Sequence, residues 1–320
     1  MDENERLRQA AKTLIDPERT SSEKQEAYRS IVGYIRRNQP KSAAADCRVM
    51  EYNILRDGDG WGWAGLAEPR VECVRRIEPL CAIVEGYCPD VIGLVERYDC
   101  WEDEGRLTER MRSLGYAIAE SALPEAVRKI WDRDNPDRDF NRHPLLYRAD
   151  RFECIKSACL PIQAFPSINF RVLTSVILRD RNTGEEIAFF VTHWESGGIQ
   201  KEGVEPKTPD ECRMINAQKA VKAFHSFLEG MEEIPAVVMG DFNTNVNDPA
   251  YRHLLTHCGL RDVMEDPRMI DLLAVKALEV SAFGMDPAPY TGFTSDHKPI
   301  YCDIVIKNGS EKCVSDRRGD

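Results

Sequence analysis

Residues 236–243 read AVVMGDFN, and residues 294–300 read TSDHKPI. In the first stretch a short apolar run ends in a polar group, Asp241, and in the second His297 stands just before another apolar run. Short apolar runs of this kind are typical of buried strands. Sheet proteins collect ligands and catalytic groups at strand ends. The two stretches therefore predict a sheet-based fold with a polar site at one edge.

Further polar residues stand at or near the ends of apolar runs elsewhere in the chain. RVMEYN ends in Asn53, DVIGLVE ends in Glu96, AFFVTH ends in His193, and MIDLLAV contains Asp271. Each has an ordinary alternative when taken alone, since a strand-end Asn is usually a turn residue and GDFN alone fits a tight turn. Together they agree in type, placement and order, which favours one shared site.

The residue types in this set suit one kind of chemistry. Oxygen ligands are the donors that Mg²⁺ and Mn²⁺ prefer. A carboxylate can orient and deprotonate water, and a histidine beside an acid can hold positive charge. Attack on phosphorus adds negative charge, which a cation and amide donors offset. The sequence therefore predicts a metal-dependent hydrolase of phosphate esters.

Strand-like and helical segments alternate from Arg48 onward, with some direct hairpins. Hairpin turns are predicted at Ala149-Asp150 and at residues 182–184. This mixture favours an α/β (α+β) fold with mixed sheets over a purely parallel sheet.

The chain is expected to divide into three parts. Residues 1–46 predict an N-terminal helical extension, in which Ser22 and Gln25 resemble a capping box. Residues 47–306 form the expected catalytic domain, and residues 307–320 are expected to be a flexible tail.

Composition narrows the class of protein. Hydrophobic residues make up 42% of the chain, which is enough for one large core, and the net charge of −11 lowers the expectation of a long duplex nucleic-acid partner.

No apolar run approaches the roughly 18 residues that a membrane span needs. The charged N-terminus lacks an apolar signal-peptide segment. The 11 cysteines contain no CxxC pair, and we expect them to be reduced and mostly buried. These features predict a cytoplasmic protein, with disulfides in a secreted protein as the alternative.

The motifs RVMEYNI, PDVIGLVE, VTHW, GDFNTNVNDPAY, MIDLLAV and TSDHKPI resemble the endonuclease/exonuclease/phosphatase superfamily over roughly Cys47 to Ile306. That superfamily includes deoxyribonuclease I-like and neutral sphingomyelinase-like phosphoesterases. GDFN followed at a distance by SDHKP is the most specific part of the match. The resemblance implies a four-layer sandwich of two mixed β-sheets flanked by helices.

The resemblance also implies roles for individual residues. The implied metal-site residues, for Mg²⁺ or Mn²⁺, are Glu96, Asn53 and Asp296. The implied catalytic residues are Asp241 (aligning the water), Asn243 (a phosphoryl donor), His297 (phosphate binding), Asp271 (its acidic partner) and His193 (a second histidine). The chain departs from the family pattern at Val95, where Gln is usual, and at Leu272, where an aromatic residue is usual after the acid.

Three further residues are candidates for substrate binding: Arg171, Trp61 and Trp63. Arg171 is a family-pattern position, with a structural ion pair as the alternative. The tryptophans lie in DGDGWGWAGLAE, whose acids partly follow EF-hand spacing, although Trp61 stands where a ligand is required. We expect them to stack on a base, sugar or lipid head group, with local packing as the alternative.

The predicted substrate is a phosphate ester of a small molecule, a lipid head group or a nucleic acid, with a phosphodiester preferred. One alternative is a non-hydrolytic binding module of the same fold, supported by Val95 alone. Another is a nuclease or deadenylase acting on single-stranded nucleic acid. No protein partner is predictable from the sequence.

Overall fold

The structure is a computed structural model, and it describes residues 2–55, 73–97, 106–119, 121, 123–125, 128–129, 143–163, 171–199 and 205–306. The α-helices that lie within these ranges are α1 (Glu3–Ile15), α2 (Ser21–Asn38), α3 (Cys73–Tyr87), α4 (Arg106–Ser113), α5 (Pro209–Phe227) and α6 (Pro249–Cys258). A short 3₁₀ helix covers Thr291–Phe293.

The strands form two sheets of six strands each. The strands of the first sheet are, in spatial order, β11 (Glu279–Met285), β12 (Ile300–Val305), β1 (Cys47–Asn53), β2 (Val91–Val95), β4 (Leu145–Arg148) and β3 (Tyr116–Ile118). Those of the second are β5 (Phe152–Pro161), β6 (Val172–Asp180), β7 (Glu186–His193), β8 (Ala236–Asp241), β10 (Asp271–Lys276) and β9 (Arg261–Asp262).

Each sheet has one parallel pair at its centre, and its other neighbouring strands are antiparallel. The parallel pairs are β1–β2 in the first sheet and β7–β8 in the second. Parallel neighbours end at the same edge of a sheet, so Asn53 pairs with Val95 in one sheet and His193 pairs with Asp241 in the other. Both sheets thus present two strand ends side by side.

The two sheets pack face to face, with helices on their outer sides. Along β1, Cys47 and Val49 join the core between the sheets, whereas Met50 and Tyr52 face the core shared with α1, α2 and α3. Phe190 on β7 packs against Phe224 of α5 with ring centroids 4.7 Å apart. The predicted four-layer sandwich of two mixed sheets flanked by helices is confirmed.

A glycine lies where β2 of the first sheet packs against β7 and β8 of the second. A Cβ atom on Gly93 of β2 would lie 2.8 Å from Sδ of Met239 on β8 and 2.9 Å from Cγ2 of Val191 on β7. Such contacts are shorter than packed side chains tolerate. Only glycine therefore lets the parallel pairs of the two sheets come this close.

One of the two predicted hairpins is correct. β6 and β7 pair as expected across residues 182–184. The other prediction was wrong, because β4 belongs to the first sheet and β5 to the second. The turn at Ala149-Asp150 carries the chain from one sheet to the other instead of reversing it within a sheet.

The N-terminal helices pack onto α3. Ile31 and Ile35 of α2 and Leu7 of α1 are buried in the same core cluster as α3. The predicted capping box was misplaced, since the box of α2 is formed by Thr20 and Glu23. Thr20 is the residue with extended backbone angles, which allows its hydroxyl to reach the free N–H of Glu23.

Some sequence expectations fall outside the described residues. They concern the tail 307–320 and the loop containing Trp61 and Trp63. Of the described cysteines, Cys88 is exposed, Cys154 is half-buried and the others are buried. No helix in the described part of the chain is long and apolar enough to cross a membrane.

Candidate active site

The ends of the two parallel pairs meet across the gap between the sheets. Asn53 and Glu96 come from β1 and from the residue after β2, and His193 and Asp241 come from β7 and β8. Nδ2 of Asn53 donates to Oδ2 of Asp241 at 3.1 Å and lies 3.4 Å from Oε1 of Glu96. Four of the sequence-predicted residues therefore converge at one place.

Glu96, His193 and Asp241 form the first of two groups that could hold a metal ion. One ligand atom from each residue lies within 4.8 Å of the others. Nε2 of His193 is 3.4 Å from Oδ2 of Asp241 and 3.9 Å from Oε1 of Glu96. The sequence predicted Glu96 as a ligand, but it assigned the other two residues to catalysis.

Asp241, Asp271 and His297 form the second group. Asp271 stands at the start of β10, where the antiparallel register places it opposite Asp241 at the end of β8. Nδ1 of His297 lies 2.8 Å from Oδ2 of Asp271, and its Nε2 lies 3.9 Å from Oδ2 of Asp241. The structure thus places Asp271 beside His297, as the resemblance implied.

The glycine of the GDFN motif is required for packing and does not form a turn. Gly240 lies within β8 with φ near 152°. A Cβ atom there would lie 2.0 Å from the carbonyl oxygen of Thr192 on β7, which excludes any side chain. Gly240 therefore allows the backbone to bring Asp241 beside His193.

Asn243 is held in a left-handed backbone conformation, with φ near 51°. This region is tolerated better by Asn than by most residues. Its backbone N–H donates to Oδ1 of Asp241 at 2.8 Å, and its Nδ2 donates to the carbonyl oxygen of Trp194 at 3.0 Å. The amide group has a second N–H bond for another acceptor.

The surroundings raise the pKa values of both Asp241 and His297, but for different reasons. Burial, together with the nearby charge of Asp271, raises the pKa of Asp241 to about 7. Burial opposes charge on His297, but Asp271 and Asp241 outweigh it and raise the pKa of His297 to about 11. The site therefore pairs a basic carboxylate with a histidine that stays protonated at neutral pH.

His193 has the opposite electrostatic character. Burial lowers the pKa of His193 well below its ordinary value, and the nearby Arg171 and His143 lower it further. The His143 and His193 rings meet edge to face with centroids 5.4 Å apart. Arg171, a predicted substrate-binding residue, is only 5% exposed. No sequence pattern pointed to His143, because it lies outside every motif.

Glu51 is a second residue that the sequence analysis missed. It lies two residues before Asn53 on β1, so both side chains point into the gap between the sheets. It is 0% exposed, and among the described residues neither carboxyl oxygen has a hydrogen-bond partner. Burial, with the charges of Asp271 and Asp241, raises the pKa of Glu51 well above its ordinary value. The shared strand face was the available signal.

Among the described residues, the predicted metal ligand Asp296 belongs to neither of the two metal-capable groups of acids and histidines. The other predicted ligand, Asn53, contacts Glu96 and Asp241 of the first group through its amide nitrogen. Oδ1 of Asn53 accepts from the backbone N–H of Leu55 at 3.0 Å. Asp296 is half-buried, and its Oδ1 lies 3.4 Å from the hydroxyl of Ser295. Both roles stay predictions. Trp61 and Trp63 lie outside the described residues.

The donor set of the two groups fits a divalent cation. The first group offers two carboxylates and the neutral imidazole of His193, whereas the second offers two carboxylates beside the protonated His297. Carboxylates favour Mg²⁺ and Mn²⁺, whereas imidazole also suits transition metals. Burial of Asp241 beside Asp271 leaves like charges close together, which a cation would relieve.

Sequence comparison gives one family match. Residues 82–273 match a family described as the Endonuclease/Exonuclease/phosphatase family. Nocturnin of Rattus norvegicus is 24% identical over 220 residues, which cover 68% of this chain and 48% of that protein. The chain spans about half the length of this curated relative.

Many solved structures are similar in fold, and two of them illustrate the match. The human Nocturnin catalytic domain with bound sulfate anion has a TM-score of 0.60 at 19% identity, covering 83% of this chain and 96% of that one. A mannosyl-6-phosphatase of Bacteroides thetaiotaomicron has a TM-score of 0.59 at 19% identity, covering 82% and 100%. At this level of identity the likeness shows the fold alone.

Proposed function

We propose that this chain, which belongs to the Endonuclease/Exonuclease/phosphatase family, is a divalent-metal-dependent hydrolase of phosphate esters that works by in-line attack of water on phosphorus. One observation carries the proposal. Asp241 is shared by two groups, one with Glu96 and His193 and the other with Asp271 and His297. Metal-binding, proton-accepting and phosphate-binding side chains thus meet at one carboxylate.

A bound Mg²⁺ or Mn²⁺ would neutralise charge that develops on the phosphoryl oxygens. We assign its binding to Glu96, with Asn53 and Asp296 beside it. Asn53 already orients Oδ2 of Asp241 through its amide nitrogen at 3.1 Å. Fixed geometry of this kind lowers the cost of assembling the reacting groups.

We assign the alignment and deprotonation of the attacking water to Asp241. A general base works best when its pKa lies near the working pH, and burial raises the pKa of Asp241 to about 7. Oδ1 of Asp241 accepts from the N–H of Asn243, while Oδ2 faces Asn53 and the two histidines. Oδ2 is therefore the oxygen that would accept the proton.

We assign the scissile phosphate to His297 and Asn243. Asp271 keeps His297 positively charged, and a charged donor stabilises a phosphoryl oxygen more strongly than a neutral one. The second N–H bond of the Asn243 amide supplies a further donor. His193, which is neutral, would donate a further hydrogen bond from beside Asp241.

We infer the class of substrate from the net charge of the chain and from two proteins of similar fold. A net charge of −11 disfavours long duplex nucleic acid and is compatible with a small phosphodiester. One similar structure carries a sulfate anion, which resembles phosphate, and another is a mannosyl-6-phosphatase. We therefore favour a small phosphate ester, with a phosphodiester first, over a polymer. We also infer that the protein acts in the cytoplasm.

A panel of phosphate esters tests the proposal. Purified protein would be assayed with Mg²⁺ and with Mn²⁺ on a bis-aryl phosphate, mannose 6-phosphate, an inositol polyphosphate, sphingomyelin, oligoadenylate and single-stranded DNA. We expect hydrolysis of at least one ester that stops with EDTA and returns with added metal. If Mn²⁺ binds but no ester is cut, the chain is a non-hydrolytic binding module and the proposal is wrong.

A further inference from the structure

Arg76 on α3 is buried directly behind the site, and its side chain is only 1% exposed. Its Nη1 donates to the carbonyl oxygen of Thr294 at 2.7 Å and to that of Ile54 at 3.2 Å. Its Nη2 donates to the carbonyl oxygen of Leu55 at 3.0 Å. One guanidinium therefore joins two separate segments of backbone.

Both segments carry residues of the proposed site. Ile54 and Leu55 directly follow Asn53, and Thr294 directly precedes the run Ser295–Asp296–His297. The carbonyls of Ile54 and Leu55 lie after the end of β1, and that of Thr294 lies before the start of β12. At both places the backbone hydrogen bonds between β1 and β12 have ended. Buried carbonyl groups need donors, and a guanidinium has enough fixed N–H bonds to serve several at once.

Ser295 makes a second connection between the same two segments. Its hydroxyl donates to the carbonyl oxygen of Asn53 at 2.6 Å and accepts from the backbone N–H of His297 at 3.1 Å. The two links lie side by side, because Thr294, which accepts from Arg76, is the neighbour of Ser295. Together they fix where Asn53 and His297 stand relative to each other.

We propose that Arg76 is a positioning residue: it holds the segment after Asn53 and the segment before His297 in register, so that the metal-binding and phosphate-binding residues face each other. This inference rests on the proposed function for the meaning of those residues. The contacts of Arg76 with the two segments are all to backbone carbonyls, and its Nη2 also lies 3.3 Å from Sγ of Cys73 on its own helix, so we assign it no part in the chemistry. Loss of such supporting contacts costs about 10–100-fold in metal affinity or activity.

Arg48 provides a matched control. It is also 1% exposed, and it lies near the start of β1, at the end opposite Asn53. It pairs with Asp303 at 2.6 Å and donates to the carbonyl oxygens of Gln39 and Pro40. Replacing either arginine removes a buried guanidinium and its hydrogen bonds, so both changes lower stability, but only Arg76 contacts the site segments.

The experiment compares R76K, R76Q and S295A with R48K and R48Q at a temperature where each is folded. Two readouts are used: Mn²⁺ affinity by calorimetry, and amide hydrogen exchange of residues 53–55 and 294–297. We expect R76K and R76Q to weaken Mn²⁺ binding about 10-fold or more and to speed exchange in both segments. We expect S295A to do the same to a smaller extent, and the Arg48 variants to change neither readout.

Unchanged exchange and Mn²⁺ affinity in R76K and S295A would overturn the inference, as would equal changes in the Arg48 variants. If R76Q does not fold, R76K and S295A decide. Neither readout needs turnover, so a wild-type protein that cuts no ester would refute the proposed function and leave this inference standing on exchange.

Discussion

Asp241 at the end of β8 lies opposite Asp271 at the start of β10, and His297 lies between their carboxylates. Nδ1 of the imidazole is 2.8 Å from Oδ2 of Asp271, and its Nε2 is 3.9 Å from Oδ2 of Asp241. The antiparallel register sets this arrangement, because a shift of one residue would turn Asp271 to the other face of the sheet.

The first prediction concerns the charge on His297 in metal-free protein. Burial disfavours its protonated form, but Asp271 and Asp241 raise the pKa of His297 to about 11. The imidazole should therefore stay protonated from pH 5 to pH 9, whereas an ordinary histidine, with a pKa of about 6.5, loses its proton within that range. In D271N the proton should be lost within that range. An NMR pH titration of the imidazole signals in EDTA measures the loss of this proton in the wild type and in D271N. A titration midpoint near neutrality for His297 of the wild type would contradict the assignment.

The second prediction concerns the buried acid beneath the site. Neither oxygen of Glu51 has a hydrogen-bond partner among the described residues, and an unsatisfied buried polar group costs about 1–3 kcal/mol. E51M replaces it with an apolar side chain of similar length and should raise the unfolding free energy by about that amount. Urea denaturation in EDTA measures the change. E51Q, which keeps a polar group, should gain less, and a destabilised E51M would show that Glu51 has a stabilising partner.

The third prediction concerns the N-terminal helices. A Cβ atom on Gly86 of α3 would lie 2.7 Å from Cδ1 and 2.8 Å from Cβ of Ile35 on α2. G86A should push α2 away from α3 and destabilise the protein by about 1–3 kcal/mol.

Gly33, on α2, is the control for this change. A Cβ atom there would meet only the end of the flexible Arg37 side chain, at 3.4 Å. G33A should stabilise α2 by up to about 1 kcal/mol. Thermal unfolding of both variants tests whether the N-terminal helical extension, residues 1–46, packs on α3. Equal behaviour of the two variants would mean that α2 does not pack on α3 in solution.

The residues at the strand ends could be predicted from sequence for a physical reason. Apolar runs that end in polar groups mark buried parallel strands, and parallel neighbours such as β1 and β2 end at one edge. Asn53, Glu96, His193 and Asp241 were found in this way. The GDFN and SDHKP motifs then identified the family.

Other features depend on tertiary contacts that no local pattern records. A turn at Ala149-Asp150 has the same sequence signal whether the next strand stays in the sheet or crosses to the other one. The helical spacing of apolar residues in α3 indicates a helix, but it does not indicate that Arg76 is buried. Which of two polar residues, Thr20 or Ser22, caps α2 depends on the backbone angles of the chain entering the helix. Sequence patterns alone therefore do not predict these features.

The central claim is that Asp241 is the base of a metal-dependent phosphoesterase. Its most direct test is the rate at which D241N cuts the best ester of the panel at saturating Mn²⁺. D180N is the control, since Asp180 is also fully buried but pairs with Arg151 at the far end of the second sheet. We expect D241N to lose at least about 100-fold in rate while D180N keeps the wild-type rate. A D241N protein as active as the wild type, or wild-type activity that survives EDTA, would contradict the claim.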